Sequence, residues 1–388
     1  MTLIFPNRLL LPHGRKAALE VSKAISKIIN EKIVIAITPA TKNQSLTSKY
    51  EAAVDINIGC KIDAGLIICT SGSTGNPKAV EISSQALINA ANVTNKKLGS
   101  KADWLLAINP AFMGGLMVLA RVMQSEQNWE YGLDENDKFN PNLFIAKAQE
   151  MFANNKKVRT SLVTAQLISL VSQGYTNILK NFDAILVGGG YFPHNIFEEL
   201  KKEGVNLIRT YGMTETCGGI VWDGKTLENV LIRIENPNNS GAGRISIKSP
   251  TNATSYHGDS PDILKLNNST FNNGWVLTQD VGTFTDGNLK VIGRSDDIVI
   301  SGGTNISIHA VEDVIRNQPG VEDAVVFAIP DDKWGNIISA LIVGQSDQLQ
   351  IQDAVEKELG KAAMPRVVKF TKDIPLLPNG KIDMDAIK

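Results

Sequence analysis

The chain has 388 residues, which the usual domain size of about 100–200 residues divides into two or three domains. Hydrophobic residues make up 43% and charged residues 20%, which excludes a disordered chain; a net charge of -1 gives no general attraction for nucleic acid or an anionic membrane surface. No apolar run reaches the ~20 residues that span a bilayer, the N-terminus lacks signal-peptide character, and Cys60, Cys69 and Cys217 form neither a disulfide framework nor a metal pair, so a soluble, reduced, cytoplasmic protein is expected.

The first three-fifths alternates helical and strand-like segments. Val21, Ala24, Ile25 and Ile28 recur at helical spacing, followed by an apolar strand at 33–37. Residues 65–70 read as a buried strand and 83–98 as a helix capped by Ser83 or Ser84. Strands at 104–108, 160–163, 183–187 and 206–209 alternate with helices at 116–123, 165–172 and 196–202. That alternation predicts a large N-terminal α/β domain with a parallel sheet covered on both faces. From 229 to about 291 the pattern is strand, turn, strand, which predicts a β subdomain. After 294 a helix (309–317), two strands (324–329, 338–343), a helix (351–359) and a strand (367–370) predict a small, separate α+β domain.

Local motifs carry the chemistry. Thr70-Ser71-Gly72-Ser73-Thr74-Gly75-Asn76-Pro77-Lys78 follows a strand and is expected to open a helix; its glycines, hydroxyls and lysine suit a phosphate nest. Asn76 and Pro77 set it apart from a Walker A loop. Tyr211-Gly212-Met213-Thr214-Glu215 stands at a strand's carboxyl end, where an α/β sheet presents residues to ligand and a carboxylate can hold Mg²⁺ against phosphates. Asp280 and Arg294 suit the two hydroxyls of a ribose, with Ser295, Asp296 and Asp297 following. Gly302-Gly303 and the turn Pro378-Asn379-Gly380-Lys381 complete the set.

In this order the motifs resemble the adenylate-forming superfamily of acyl-CoA synthetases, firefly luciferase and peptide-synthetase adenylation domains. The resemblance runs from about Gly65 to the end. It implies two domains, 1–294 with a β subdomain at about 229–292 and a mobile 295–388, and it implies ATP, Mg²⁺ and CoA as cofactor and co-substrates. Thr70, Ser71, Gly72, Ser73, Thr74, Gly75 and Lys78 would cradle the β- and γ-phosphates. Gly188, Gly189, Gly190 and Tyr211 would line the adenine, with Gly212 and Met213 completing the nucleotide site. Thr214 would touch phosphate and Glu215 would bind the metal. Asp280 and Arg294 would take the ribose, Asp296 would be the hinge, and Gly302 and Gly303 would line the path of the pantetheine thiol. Lys381 would bridge the substrate carboxylate and the α-phosphate. The family departs here in three places: Ile308 and Ala310 replace its proline and glutamate, Arg244 follows Gly243, and Asp297 follows the hinge aspartate.

The partner is then a small-molecule carboxylic acid, with no nucleic acid, no membrane insertion, and a homodimer as one admissible assembly. Phe112, Gly115 and Arg121 lie where the family forms its acid pocket, and Arg121 on an apolar helix suits a second substrate carboxylate. The spacing Gly115 to Arg121, the stretch 300–306 and the early phosphate loop are similar to o-succinylbenzoate–CoA ligases of menaquinone synthesis. Adenylation of another acid, with transfer to CoA or a carrier-protein thiol, is the alternative. A nucleotide-binding sensor would not need Lys381. The four histidines, His257 among them, show no cluster in the sequence.

Overall fold

A strand made wholly of apolar or β-branched residues has to be covered on both faces. Val34–Thr38 and Gly65–Cys69 meet that condition, since every position is buried. The computed structural model describes residues 4–39, 41, 44–70, 77–99, 101–154, 157–190, 192, 194–238, 241–295, 298–375 and 382–387. The chain divides into two compact units. The first is Met1–Arg233 with Ser246–Thr278 and Thr285–Leu289; the second is Ile234–Ile245 with Gln279–Phe284 and Lys290–Lys388.

The first unit holds two sheets. In one, Asn7–Leu10, Val34–Thr38 and Gly65–Cys69 run parallel, and Ala79–Ser83 and then Ser255–Tyr256 join antiparallel. In the other, Trp129–Tyr131, Asp103–Leu106, Val158–Val163, Ala184–Gly188 and Leu207–Met213 are parallel neighbours, and Gly218–Trp222 turns back antiparallel. Helices Pro141–Ala153, Thr164–Ser172 and His194–Lys202 contribute Phe144, Leu170 and Phe197 to the core beside Leu105, Leu162 and Ile185. Each large aliphatic side chain sealed there stabilises the fold by about 1.5–3 kcal/mol.

Two sequence expectations are corrected. The phosphate motif opens a strand, not a helix: it closes a hairpin in which Cys69 pairs with Ala79 and Gly65 with Ser83. Helix Ser84–Leu98 begins only after that strand, with the Ser83 hydroxyl accepting from the Ala86 N–H at 3.1 Å. Five residues rich in Val80 and Ile82 gain more from ladder bonds than from one turn of helix. The stretch read as strand and turn also contains a helix, Pro261–Thr270. Ser260 caps it and Pro261 takes its first position, a start signal that outweighs the asparagines and serines inside it.

The second unit carries the α+β pattern expected. Val321–Asp331 pairs antiparallel with Gly335–Gly344, which is parallel to Val367–Thr371. Helices Ile308–Arg316 and Gln348–Leu359 bury Val311, Ile315, Ile351 and Val355 with Val326 and Ile342. Among the described residues, no helix is long and apolar enough to cross a membrane.

Candidate active site

The phosphate loop is anchored at its two ends. The Thr70 N–H donates to the Lys78 carbonyl at 2.7 Å, and the Lys78 N–H donates to the Thr70 hydroxyl at 3.3 Å. Ser71, Gly72, Ser73, Thr74 and Gly75 lie outside the described residues. The Lys78 ammonium stands 5.5 Å above the ring of Tyr256.

The Tyr-Gly-Met-Thr-Glu motif spans the end of strand Leu207–Met213 and a short 3₁₀ turn, Thr214–Thr216. Gly212 is required where the antiparallel strand returns, because a Cβ there would come within 2.0 Å of the Gly218 carbonyl. Thr216 staples the turn: its hydroxyl donates to the Met213 or Gly218 carbonyl and accepts from the Met213 N–H. Gly188 ends the neighbouring parallel strand against Thr210, the residue before Tyr211. Glu215 accepts a hydrogen bond from the Tyr256 hydroxyl at 2.6 Å. Among the described residues it has no ion-pair partner. A hard cation takes carboxylate oxygens together with phosphate oxygens, so this donor set fits Mg²⁺.

Arg121, on helix Met113–Ser125, is 6% exposed. Its guanidinium lies 5.4 Å from the Trp104 ring, and its Nη1 reaches the Ser161 hydroxyl at 3.4 Å. Its Nε has no partner, and among the described residues no carboxylate answers the charge. Burial pushes its pKa down to about 10, so it stays cationic at neutral pH. It lies in the field of Cys217, the residue that ends the Thr-Glu turn. The other two acid-pocket residues have packing roles. Phe112 meets the Tyr50 ring edge-on at 6.2 Å. Gly115 leaves room for the Ile108 carbonyl, which a Cβ would approach to 2.3 Å. Cys69 and Cys217 are buried fillers whose thiols burial pushes up to about 12.

The histidine reading needs correction. His257 forms a buried pair with Glu81, Nδ1 to Oε1 at 2.8 Å, across 176 residues of sequence. Its Nε2 donates to the Asp55 carbonyl at 2.8 Å, and the Lys61 N–H donates to the other Glu81 oxygen. Since a carbonyl only accepts, Nε2 carries a proton, and in the charged ring Nδ1 also donates, to Glu81 Oε1. Cys60 adjoins the pair as a neutral thiol, pushed up to about 12 by burial and by Glu81. The legible signal was Glu81 itself, a lone charge in a strand otherwise wholly apolar or small. Burial works against the charged ring, but the bonds to Glu81 and to the Asp55 carbonyl outweigh it, and the His257 pKa is raised. The stabilisation is therefore complete below about pH 6.5, the ordinary imidazole value, and is lost as pH rises through the higher folded value. The melting advantage of wild type over His257→Gln is expected to shrink as pH rises from about 6 to 9. Thermal scans across that range check it, and an offset independent of pH would contradict the pairing.

In the second unit, Ser295 returns to the Gln279 carbonyl at 2.7 Å, which sets Arg294 and Asp280 next to each other on adjacent strands. Gly302 lies against the Trp334 indole, whose ring centroid is 4.5 Å from the Arg366 guanidinium and 5.3 Å from the Lys333 ammonium. Trp334 with its two cations was not singled out from sequence; an aromatic face beside positive charge suits a nucleotide. The hinge candidate Asp296 and the candidate catalytic Lys381 lie outside the described residues.

Residues 7–257 match the family described as AMP-binding enzyme, and residues 310–381 match the AMP-binding enzyme C-terminal domain. A probable 2-succinylbenzoate–CoA ligase of Mycobacterium tuberculosis is 30% identical over 392 aligned residues, covering 97% of this chain and 96% of the relative. A 2-succinylbenzoate–CoA ligase of Lactococcus lactis is 28% identical over 83% of this chain and 70% of its own length. Among solved structures, the o-succinylbenzoate CoA synthetase of Bacillus subtilis in complex with its acyl-adenylate intermediate superposes with a TM-score of 0.76 at 22% identity, covering 100% of this chain and 89% of that one.

Proposed function

Because the chain belongs to the AMP-binding enzyme family, we propose that it is an AMP-forming acid–thiol ligase that joins 2-succinylbenzoate to CoA. The observation that carries the substrate is Arg121: a buried guanidinium without a carboxylate partner among the described residues suits the second carboxylate of an aromatic diacid. The relatives' names agree with that chemistry, and the one from Mycobacterium tuberculosis is spanned almost end to end.

In the first half-reaction the substrate carboxylate attacks the α-phosphorus of ATP. The new P–O bond forms as the bond to pyrophosphate breaks. Thr70 to Lys78 hold the β- and γ-phosphates, Tyr211 and Gly188 to Gly190 flank the adenine, and Asp280 and Arg294 hold the ribose. Thr214 and Lys381 meet the reacting phosphate, where charge builds on oxygen and fixed cations lower the barrier. Glu215 would hold Mg²⁺, which when bound would supply electrostatic stabilisation of the phosphate oxygens. In the second half-reaction the CoA thiol attacks the acyl carbon and AMP leaves. Residues 295–388 turn about Asp296, a hinge motion that withdraws Lys381. Gly302 and Gly303 then line the thiol's path, and Trp334 with Arg366 offers a surface for the nucleotide end of CoA. The reading implies a cytoplasmic enzyme and admits a homodimer.

Pyrophosphate release is expected only when ATP, Mg²⁺ and a suitable acid are all present, greatest with 2-succinylbenzoate. Free CoA, rather than a phosphopantetheinylated carrier, is expected to accept the acyl group. A release assay over a panel of carboxylic acids, with both acceptors, checks this. No acid-dependent release from any of them would overturn the reading.

A further inference from the structure

Tyr256 stands opposite Val80 on the strand that follows the phosphate motif, yet no motif named it. It is 6% exposed, and its backbone N–H and carbonyl are both clamped by the Asn267 amide, at 2.7 and 2.9 Å. Its ring meets Phe271 edge-on at 5.2 Å. Its strand pairs with the strand that leaves the phosphate loop, Tyr256 opposite Val80. The next residue, His257, ties the same two strands through the buried bond to Glu81 and donates its N–H to the Ala79 carbonyl. The Tyr256 backbone therefore has a fixed position relative to strand Ala79–Ser83, and its hydroxyl donates to Oε1 of Glu215. Lys78 sits over the same ring.

We propose that Tyr256 is a positioning residue: its hydroxyl locks the Glu215 carboxylate in one orientation, leaving the second oxygen for the cation, and its ring steadies Lys78, so that the metal and triphosphate sites keep one register. This rests on the reading of Glu215 as the Mg²⁺ ligand. Tyr256→Phe keeps the ring and its packing and removes only the hydroxyl.

The test compares wild type, Tyr256→Phe, Glu215→Gln and the double variant by Mg²⁺ titration of acid-dependent pyrophosphate release. ATP binding by calorimetry, with and without Mg²⁺ and without acid, is the second readout. Tyr256→Phe is expected to need about tenfold more Mg²⁺ at half-maximal rate, with the acid KM unchanged. Its ATP affinity should fall about tenfold at low Mg²⁺ and not at all without it. In the double variant it should add nothing to Glu215→Gln. A Mg²⁺ requirement unchanged in Tyr256→Phe but shifted in Glu215→Gln overturns the positioning role alone, as does simple additivity. No shift in Glu215→Gln overturns the metal reading, and the positioning role with it.

Discussion

Arg121→Met is expected to raise the KM for 2-succinylbenzoate by about a hundredfold while sparing any monocarboxylic acid the enzyme accepts. Removing one member of a buried, hydrogen-bonded charge pair costs about 2–5 kcal/mol, which covers that factor. The same substitution should leave the melting temperature unchanged or raise it. Arg121 has no carboxylate of the protein to lose among the described residues, and its Nε is unsatisfied. Methionine retains a linear stem against Trp104, and replacing a buried ion with an apolar side chain of similar length is often neutral or stabilising. An arginine kept for the fold alone behaves in the opposite way. Its loss would lower the melting temperature and leave the preference between acids untouched. Steady-state kinetics on paired mono- and dicarboxylates, with a thermal scan of each variant, separates the two.

Lys381→Ala is expected to slow adenylation by about 10²–10³ and to leave thioester formation from supplied acyl-adenylate near the wild-type rate. The lysine follows the sequence Pro378-Asn379-Gly380 at the last position of the C-terminal family match. In the proposed mechanism its charge is needed while negative charge grows on the α-phosphate, and the second half-reaction proceeds with that lysine withdrawn. Equal loss in both half-reactions, measured by pyrophosphate release and by CoA consumption from acyl-adenylate, would remove it from the role proposed.

The elements that the sequence reveals most plainly are those whose apolar pattern is local. The buried strand Gly65–Cys69, the capped helix Ser84–Leu98 and the helix Ile308–Arg316 emerge within a residue or two of where periodicity and caps put them. What local pattern misjudged was decided by pairing. Ala79–Ser83 is a strand because Gly65–Cys69 lies beside it, and no residue within the segment says so. Helix Pro261–Thr270 was masked by asparagine and serine, and its Ser-Pro start shows its weight only once the cap is seen.

The site divides in the same way. The groups proposed to touch phosphate and ribose sit in short runs of sequence, because a ligand of that kind needs backbone N–H groups and a few side chains to converge. The sequence alone therefore suggested the chemistry proposed here: the phosphate motif at 70–78, Thr214-Glu215, the Asp280 and Arg294 pair and Lys381. The groups that hold them were beyond its reach. Tyr256 meets Glu215 across 41 residues and His257 meets Glu81 across 176. Among the described residues Arg121 meets no carboxylate because helix Met113–Ser125 packs it onto Trp104 and Ser161. A lone tyrosine, histidine or arginine has no meaning in a linear chain until burial removes water and leaves a single partner, or none. That removal is a property of the packed sheets, so the tertiary structure alone decided which polar residues orient the site.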